Sequence, residues 1–220
     1  MQLSTSILPK LRLVLLKYYQ RSGRDLPWRR TQDPYKVLIA ELLLQKTAAG
    51  PAQKVWEDVI RLYPTVESLA VASPDDLQKI IGILGLNKRS KYLINAASII
   101  ARQSHGELRA EANFLESLPG VGKYTASAIL SFAFGLKSAA IDVNAARVYG
   151  RIAGFSPVTL RQALAFALVI GQRLVTQKSH REVNYAVLDL AAQICRPKPL
   201  CDICPALRFC DYTRTTSINR

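Results

Sequence analysis

The sequence predicts an all-α fold. Three observations predict it: apolar residues recur at helical density in successive windows, short loops join the windows, and few windows alternate with period two. Leu11, Leu13, Val14, Leu15, Leu16 and Tyr18 make an apolar first helix that ends near Gly23. Lys10, Arg12 and Lys17 interrupt the apolar stretch 8–19, which makes it amphipathic and excludes a signal-peptide core. Leu26-Pro27-Trp28-Arg29-Arg30 is a connection in which Trp28 serves the core or bridges two lobes. Asp33-Pro34 has the form of a helix start with proline at the first position. The helix that follows, 35–45, carries Val37, Leu38, Ala40, Leu42, Leu43 and Leu44. Shorter helical pieces come at 52–62, 66–70 and 74–81, the last with Ser73 as its N-cap. Gly82-Ile83-Leu84-Gly85-Leu86-Asn87 is a glycine-punctuated turn. Beyond it, 91–103 is amphipathic, 114–118 is short, and 124–134 is strongly apolar; 145–152, 160–174 and 183–194 complete the set. No repeat or flexible linker is present, so a lobe boundary must sit in a short connection, near Pro27 or within 135–140.

A chain of 220 residues suits one large domain or two small lobes and can bury a sizeable core. With 49% hydrophobic and 21% charged residues it is neither a disordered chain nor a membrane protein, and no uncharged apolar run approaches the roughly 18 residues of a span. Lys and Arg number 30 against 16 Asp and Glu, a net charge of +14. Such an excess points to a polyanionic partner, most often nucleic acid, with a merely basic surface as the plainer alternative. All four cysteines fall near the C-terminus and no secretory signal precedes them, which points to a cytosolic metal site rather than disulfides.

Cys195, Cys201, Cys204 and Cys210 are spaced C-x5-C-x2-C-x5-C. Ligands this compact can wrap one ion or a cubic iron–sulfur cluster. Structural zinc modules usually divide their ligands into two close pairs, and here there is one, which favours the cluster. Pro197, Pro199 and Pro205 suit a rigid non-helical loop. Arg196, Lys198 and Arg208 either compensate the thiolate charge or touch phosphate. Upstream, Leu118-Pro119-Gly120-Val121-Gly122-Lys123-Tyr124-Thr125-Ala126 lies between a short helix and an apolar one. Pro119 stops the first helix, and the two glycines permit a tight turn. Backbone N–H groups of the turn and of the helix start behind it are then free to bind an anion such as a phosphodiester. The alternative is an ordinary helix–turn–helix corner.

On three features in order, the chain resembles the helix-hairpin-helix DNA glycosylases of the endonuclease III superfamily. These are the L-P-G-V-G hairpin, Asp142 in Ala140-Ile141-Asp142-Val143-Asn144, and the C-terminal four-cysteine loop. The resemblance covers residues 25–210 and implies an all-helical, two-lobe fold with double-stranded DNA in the cleft between lobes. A six-helix barrel would occupy 27–136, with its hairpin at 118–126. Residues 1–26 and 137–220 would form the cluster domain, with the cluster loop at 195–210. The implied cofactors are one [4Fe-4S] cluster on the four cysteines and a monovalent cation at the hairpin. The family usually has six residues between its first two cysteines; five here shorten the basic loop that carries Arg196 and Lys198. A cytoplasmic, nucleoid-associated monomer is expected.

A base cannot be excised inside the stack, so the nucleotide must be extruded. Cleaving its N-glycosidic bond builds positive charge on the sugar, which a carboxylate stabilises. The resemblance gives this role to Asp142; its placement also suits an N-cap, and the two roles can coexist. Bifunctional relatives carry a Schiff-base lysine where this chain has Tyr124. Lys123 is adjacent, but one helical residue turns a side chain by about 100°. The expectation is therefore a monofunctional enzyme without β-lyase activity, with Tyr124 walling the pocket or packing in the core. Glu41, an acid among aliphatics, resembles the group that hydrogen-bonds or protonates the leaving base. Gln45, at i+4 from it, matches the residue that enters the gap, and Leu86 matches the wedge between bases, with core packing as its alternative. The resemblance makes Leu118, Gly120, Val121, Gly122 and Lys123 the hairpin contacts to DNA, while Asn144 and Arg147 either support the site or phosphate or serve the structure. His105 and His180 fall in polar loops without a role. Gly85-Leu86-Asn87 departs from the Gly-Tyr-Tyr turn of adenine glycosylases, and only ten residues follow Cys210, where those relatives carry a further domain. Lys46-Thr47-Ala48-Ala49-Gly50 and G-K-Y-T-A look like the thymine/uracil enzyme of G·T and G·U mismatches. An adenine glycosylase and a non-catalytic DNA-binding hairpin protein are the competing readings.

Overall fold

The computed structural model describes residues 6–85 and 89–217, so the proposed wedge Leu86 lies outside the described residues. Among the described residues all regular structure is helical. The chain divides into a central unit, Asp25–Phe134, and an outer unit formed by the segments on either side of it.

The outer unit begins with α1 (Ile7–Ser22), which buries Leu8, Leu11, Leu15 and Tyr18 as one stripe and stops at Gly23. Its other helices are α9 (Val143–Ala153), α10 (Leu160–Leu174), α11 (His180–Gln193) and α12 (Asp211–Ser217). α9 packs on α10 and α11, and α1 on α11. Arg12 donates from Nε to the Leu174 carbonyl at 2.5 Å, satisfying an orphan carbonyl at the end of α10. The last residue before the central unit is also tied in: Arg24 N–H and Nε reach the two carboxylate oxygens of Asp189, which has no solvent exposure, at 2.9 and 2.5 Å.

The central unit is built of α2 (Pro34–Leu44), α3 (Ala49–Leu62), α4 (Val66–Ala70), α5 (Pro74–Ile81), α6 (Arg89–Ser104), α7 (Ala112–Ser117) and α8 (Lys123–Phe132). Asp33 caps α2 by accepting from Tyr35 N–H and Lys36 N–H, with Pro34 at the first position. Residues 37–43 of α2 are all buried, so this helix is the axis of the unit. α3 buries Ala52, Val55, Trp56 and Val59 at spacing i, i+3, i+4, i+7. Trp28 is core here: its ring meets that of Trp56 edge-on at 6.0 Å.

Three local readings need correction. His180 does not lie in a polar loop; it opens α11 and is buried, because that helix starts three residues before its first aliphatic. The cysteine loop is not free of helix, since Cys201–Ile203 and Leu207–Phe209 are single 3-10 turns. α12 was not anticipated, for its sequence DYTRTTS has no apolar stripe.

Candidate functional site

In the central unit, Leu118-Pro119-Gly120-Val121 closes a tight turn in which Val121 N–H donates to the Leu118 carbonyl at 3.0 Å. Proline at the second position and Gly120 at φ 82° fit the turn type that demands a left-handed third residue. A Cβ on Gly120 would also press on Leu42 and Tyr92, so the turn is seated on α2 and α6. Leu118 and Val121 are buried anchors, which leaves them only backbone groups to offer DNA. Gly122 precedes α8 with open space where its Cβ would be. The first turn of α8 holds no acid, and its leading N–H groups face an approach that no side chain of residue 122 blocks. Lys123 is exposed beside them and Tyr124 is half-buried. Backbone carbonyls are the donors this turn offers a cation; those of Leu118 and Gly120 already accept hydrogen bonds, so the donor set does not define a cation site by itself.

α2 delivers two more candidates to this unit. Glu41 is buried, at 5% exposure, on the helix whose next turn ends in Gln45. Gln45 Nε2 donates to the Gly120 carbonyl at 2.7 Å, so the gap-filling candidate rests on the hairpin itself.

In the outer unit, Asp142 is the N-cap of α9. Its Oδ1 accepts from Asn144 N–H at 3.0 Å and Ala145 N–H at 2.7 Å, and its Oδ2 accepts from Asn144 Nδ2 at 2.7 Å. Both oxygens are thereby fixed in direction while the residue stays partly exposed. Asn144 Oδ1 accepts from Arg147 at 2.9 Å, and Arg147 donates onward to the carbonyls of Cys195 and Ala191 at 2.9 and 3.2 Å. Asn144 and Arg147 therefore join the carboxylate to the start of the cysteine loop.

Residues that sequence patterning missed place this carboxylate. Asn184, fully buried on α11, accepts from Ala140 N–H at 3.1 Å and donates to the Ser138 carbonyl at 2.8 Å, gripping the segment that leads into Asp142. Gly171 on α10 makes room for that segment; a Cβ there would come within 2.8 Å of Ile141 and 3.1 Å of Ala139. The available signal was an asparagine within a mostly apolar helical stretch. Arg151, one turn beyond Arg147, donates to the carbonyls of Arg196 and Pro197 at 2.6 and 2.9 Å and touches Cys195 Sγ at 3.5 Å. Arg196 and Lys198 themselves are exposed.

The four cysteines line one pocket with Arg151 and Tyr212. Among the described residues no three metal-ligating side chains converge as one ion requires. Four thiols around a shared pocket fit a multi-atom cluster. Burial pushes the Cys204 thiol up to about 11 and raises that of Cys210 as well, so loading such a group must displace protons.

A hairpin turn at the start of α8 and an N-cap carboxylate at the start of α9 both fall inside the segment that a known family matches. The model of the HhH-GPD superfamily base excision DNA repair proteins matches residues 39–169, more than half of the chain. The chain belongs to that family. Within it, the chain is 34% identical to a thymine/uracil-DNA glycosylase of Methanothermobacter thermautotrophicus, over 90% of both chains. It is 36% identical to an adenine DNA glycosylase of Mycobacterium tuberculosis, over 90% of this chain and 66% of that protein. The solved structure of a thermostable thymine-DNA glycosylase superposes with a TM-score of 0.89 at 32% identity, covering 96% of this chain and 98% of the other.

Proposed function

We propose that this DNA glycosylase acts as a monomer on duplex DNA, turns thymine or uracil out of a mismatch with guanine, and hydrolyses its N-glycosidic bond without cutting the strand. The observation that supports this reading most is the Asp142 carboxylate, partly exposed and fixed at both oxygens. As the base departs with the electron pair of the C1′–N bond, C1′ and the ring oxygen acquire positive charge, which a directed carboxylate stabilises without reorganising. Water then bonds to C1′ and loses a proton. Glu41 holds or supplies the proton the leaving base acquires. Gln45 fills the vacated position, and the amides of residues 122–124 with Lys123, Arg196 and Lys198 hold phosphates. Tyr124 stands where a Schiff-base amine would be needed for strand cleavage, and a phenol cannot form one. Cys195, Cys201, Cys204 and Cys210 would hold a [4Fe-4S] cluster, whose thiolate–iron bonds stiffen the loop.

One incubation tests the reading. Duplexes with G·T, G·U, G·A and 8-oxoguanine·A are treated with enzyme, and half of each is then treated with alkali. Breaks at G·T and G·U that need alkali are expected. Breaks without alkali, or an adduct trapped by borohydride, overturn the monofunctional mechanism. Cleavage confined to the adenine strands transfers the protein to the adenine class, and salt-dependent binding without cleavage makes it a binding module.

A further inference from the structure

The turn that follows α2 is strained and is held from outside. Gln45 leaves the helix with φ −58° and ψ 117°, and Lys46 then takes φ 55°, a left-handed conformation that residues with a Cβ rarely adopt. Arg89, the first residue of α6 and 3% exposed, closes this turn. Its guanidinium donates to the Leu43 carbonyl at 2.9 Å, to the Gln45 carbonyl, and to Thr47 Oγ1 at 2.7 Å. Thr47 reinforces the loop, its N–H meeting the Leu44 carbonyl at 3.1 Å and its hydroxyl the Gln45 carbonyl at 3.3 Å. The carbonyls Arg89 takes are those a helix end leaves orphaned. Among the described residues its partners are all neutral oxygens, and burying a guanidinium among neutral groups is unfavourable for stability alone. The arrangement instead fixes the backbone at the residue whose side chain reaches the hairpin, Gln45 on the Gly120 carbonyl.

We propose that Arg89 is a positioning residue for nucleotide extrusion: it holds the left-handed turn at Lys46 so that Gln45 is presented at the hairpin, ready to enter the gap. This rests on the reading of Gln45 as the gap-filling residue. An arginine that only caps a helix would change stability and leave the extrusion step alone.

The test uses the full-length, cluster-loaded protein and a G·U duplex with 2-aminopurine beside the mismatch. Its fluorescence reports extrusion, and single-turnover excision is followed in parallel below the melting temperature of every variant. Arg89→Met is expected to slow both by about 100-fold, the usual effect of an ångström-scale misplacement, while binding to undamaged duplex is unchanged. Lys46→Gly in the Arg89→Met background is expected to restore at least about tenfold, because glycine adopts positive φ without a clamp. Adding Gln45→Ala to Arg89→Met is expected to slow it little further, since both act through one side chain. If Arg89→Met does not fold, Arg89→Lys, which keeps the charge and loses the fork, should show a smaller slowing with the same rescue. Wild-type extrusion in the folded Arg89 variant overturns the proposal, as does a slowing that Lys46→Gly fails to relieve and that adds fully to Gln45→Ala. Gln45→Ala at wild-type rate removes the gap-filling reading and this proposal with it. A slow Gln45→Ala beside a fast Arg89→Met removes the Arg89 assignment alone.

Discussion

One side chain, Asp142, starts a helix and, in the proposed function, also supplies the carboxylate for the chemistry. The two duties separate by substitution. Asparagine keeps a side-chain oxygen for the Asn144 and Ala145 N–H groups, so Asp142→Asn should cost under about 1 kcal/mol of stability. It removes the negative charge, so single-turnover excision of G·U should fall by about 100- to 1,000-fold. A melt and a rate on the same preparation check both halves, and an Asn variant at full speed would sink the assignment. Asn184 makes the complementary case. Asn184→Leu leaves the buried Ala140 N–H and Ser138 carbonyl without their partner and should cost about 2 kcal/mol or more by urea titration. It should also slow excision by shifting the segment before Asp142. The N-cap placement of Asp142 was legible in the sequence because the residue opens a helix after a short apolar segment. Asn184 and Arg89 were not, since both bind backbone carbonyls more than 40 residues away. Nothing in a sequence pattern marks a carbonyl that a distant side chain will take.

At the scale of elements, α9 and the cysteine loop work together. Arg147 and Arg151, one turn apart on α9, take the carbonyls of Cys195, Arg196 and Pro197, so the short first segment of the loop is pinned along its backbone. The five-residue spacing therefore still presents the Arg196 and Lys198 side chains to solvent from a held backbone. If these cations meet phosphate, Lys198→Ala should weaken binding evenly across matched and mismatched duplexes. It should also reduce the slope of log K against log salt by about one. An unchanged slope would assign Lys198 to charge compensation at the thiolates. The hairpin was the most legible element, because Pro119 and Gly120 have one turn type to satisfy and that turn forms. Helix ends were less so: the reading began α11 at its first aliphatic, whereas the helix starts at His180 and buries that ring. α12 escaped because it holds position by packing on α9 and not by any stripe of its own.

At the scale of the molecule, both ends of the chain build the outer unit and the middle builds the central one. The all-α class and the apolar windows were readable from periodicity. Which windows share a core was not, because α1 joins helices that follow it by more than 100 residues, through packing and side-chain hydrogen bonds that no local pattern marks. The Arg24–Asp189 pair is the polar part of that long-range closure, linking the end of the first segment to α11. Asp189 has no exposed surface, while the Arg24 side chain keeps 30% of its own. Such a pair is a poor source of net stability but expensive to break on one side. Arg24→Met should therefore destabilise the protein by on the order of 3 kcal/mol, because the charge of Asp189 stays buried without the Arg24 guanidinium. Arg24→Met with Asp189→Leu should recover part of that loss, since the buried charge is gone while the Arg24 N–H loses its acceptor. Urea titrations of both variants, with the slope m unchanged, decide the matter. A double variant as unstable as the single one would mean that the pair fixes the packing of the first segment on α11, and that its charge is incidental.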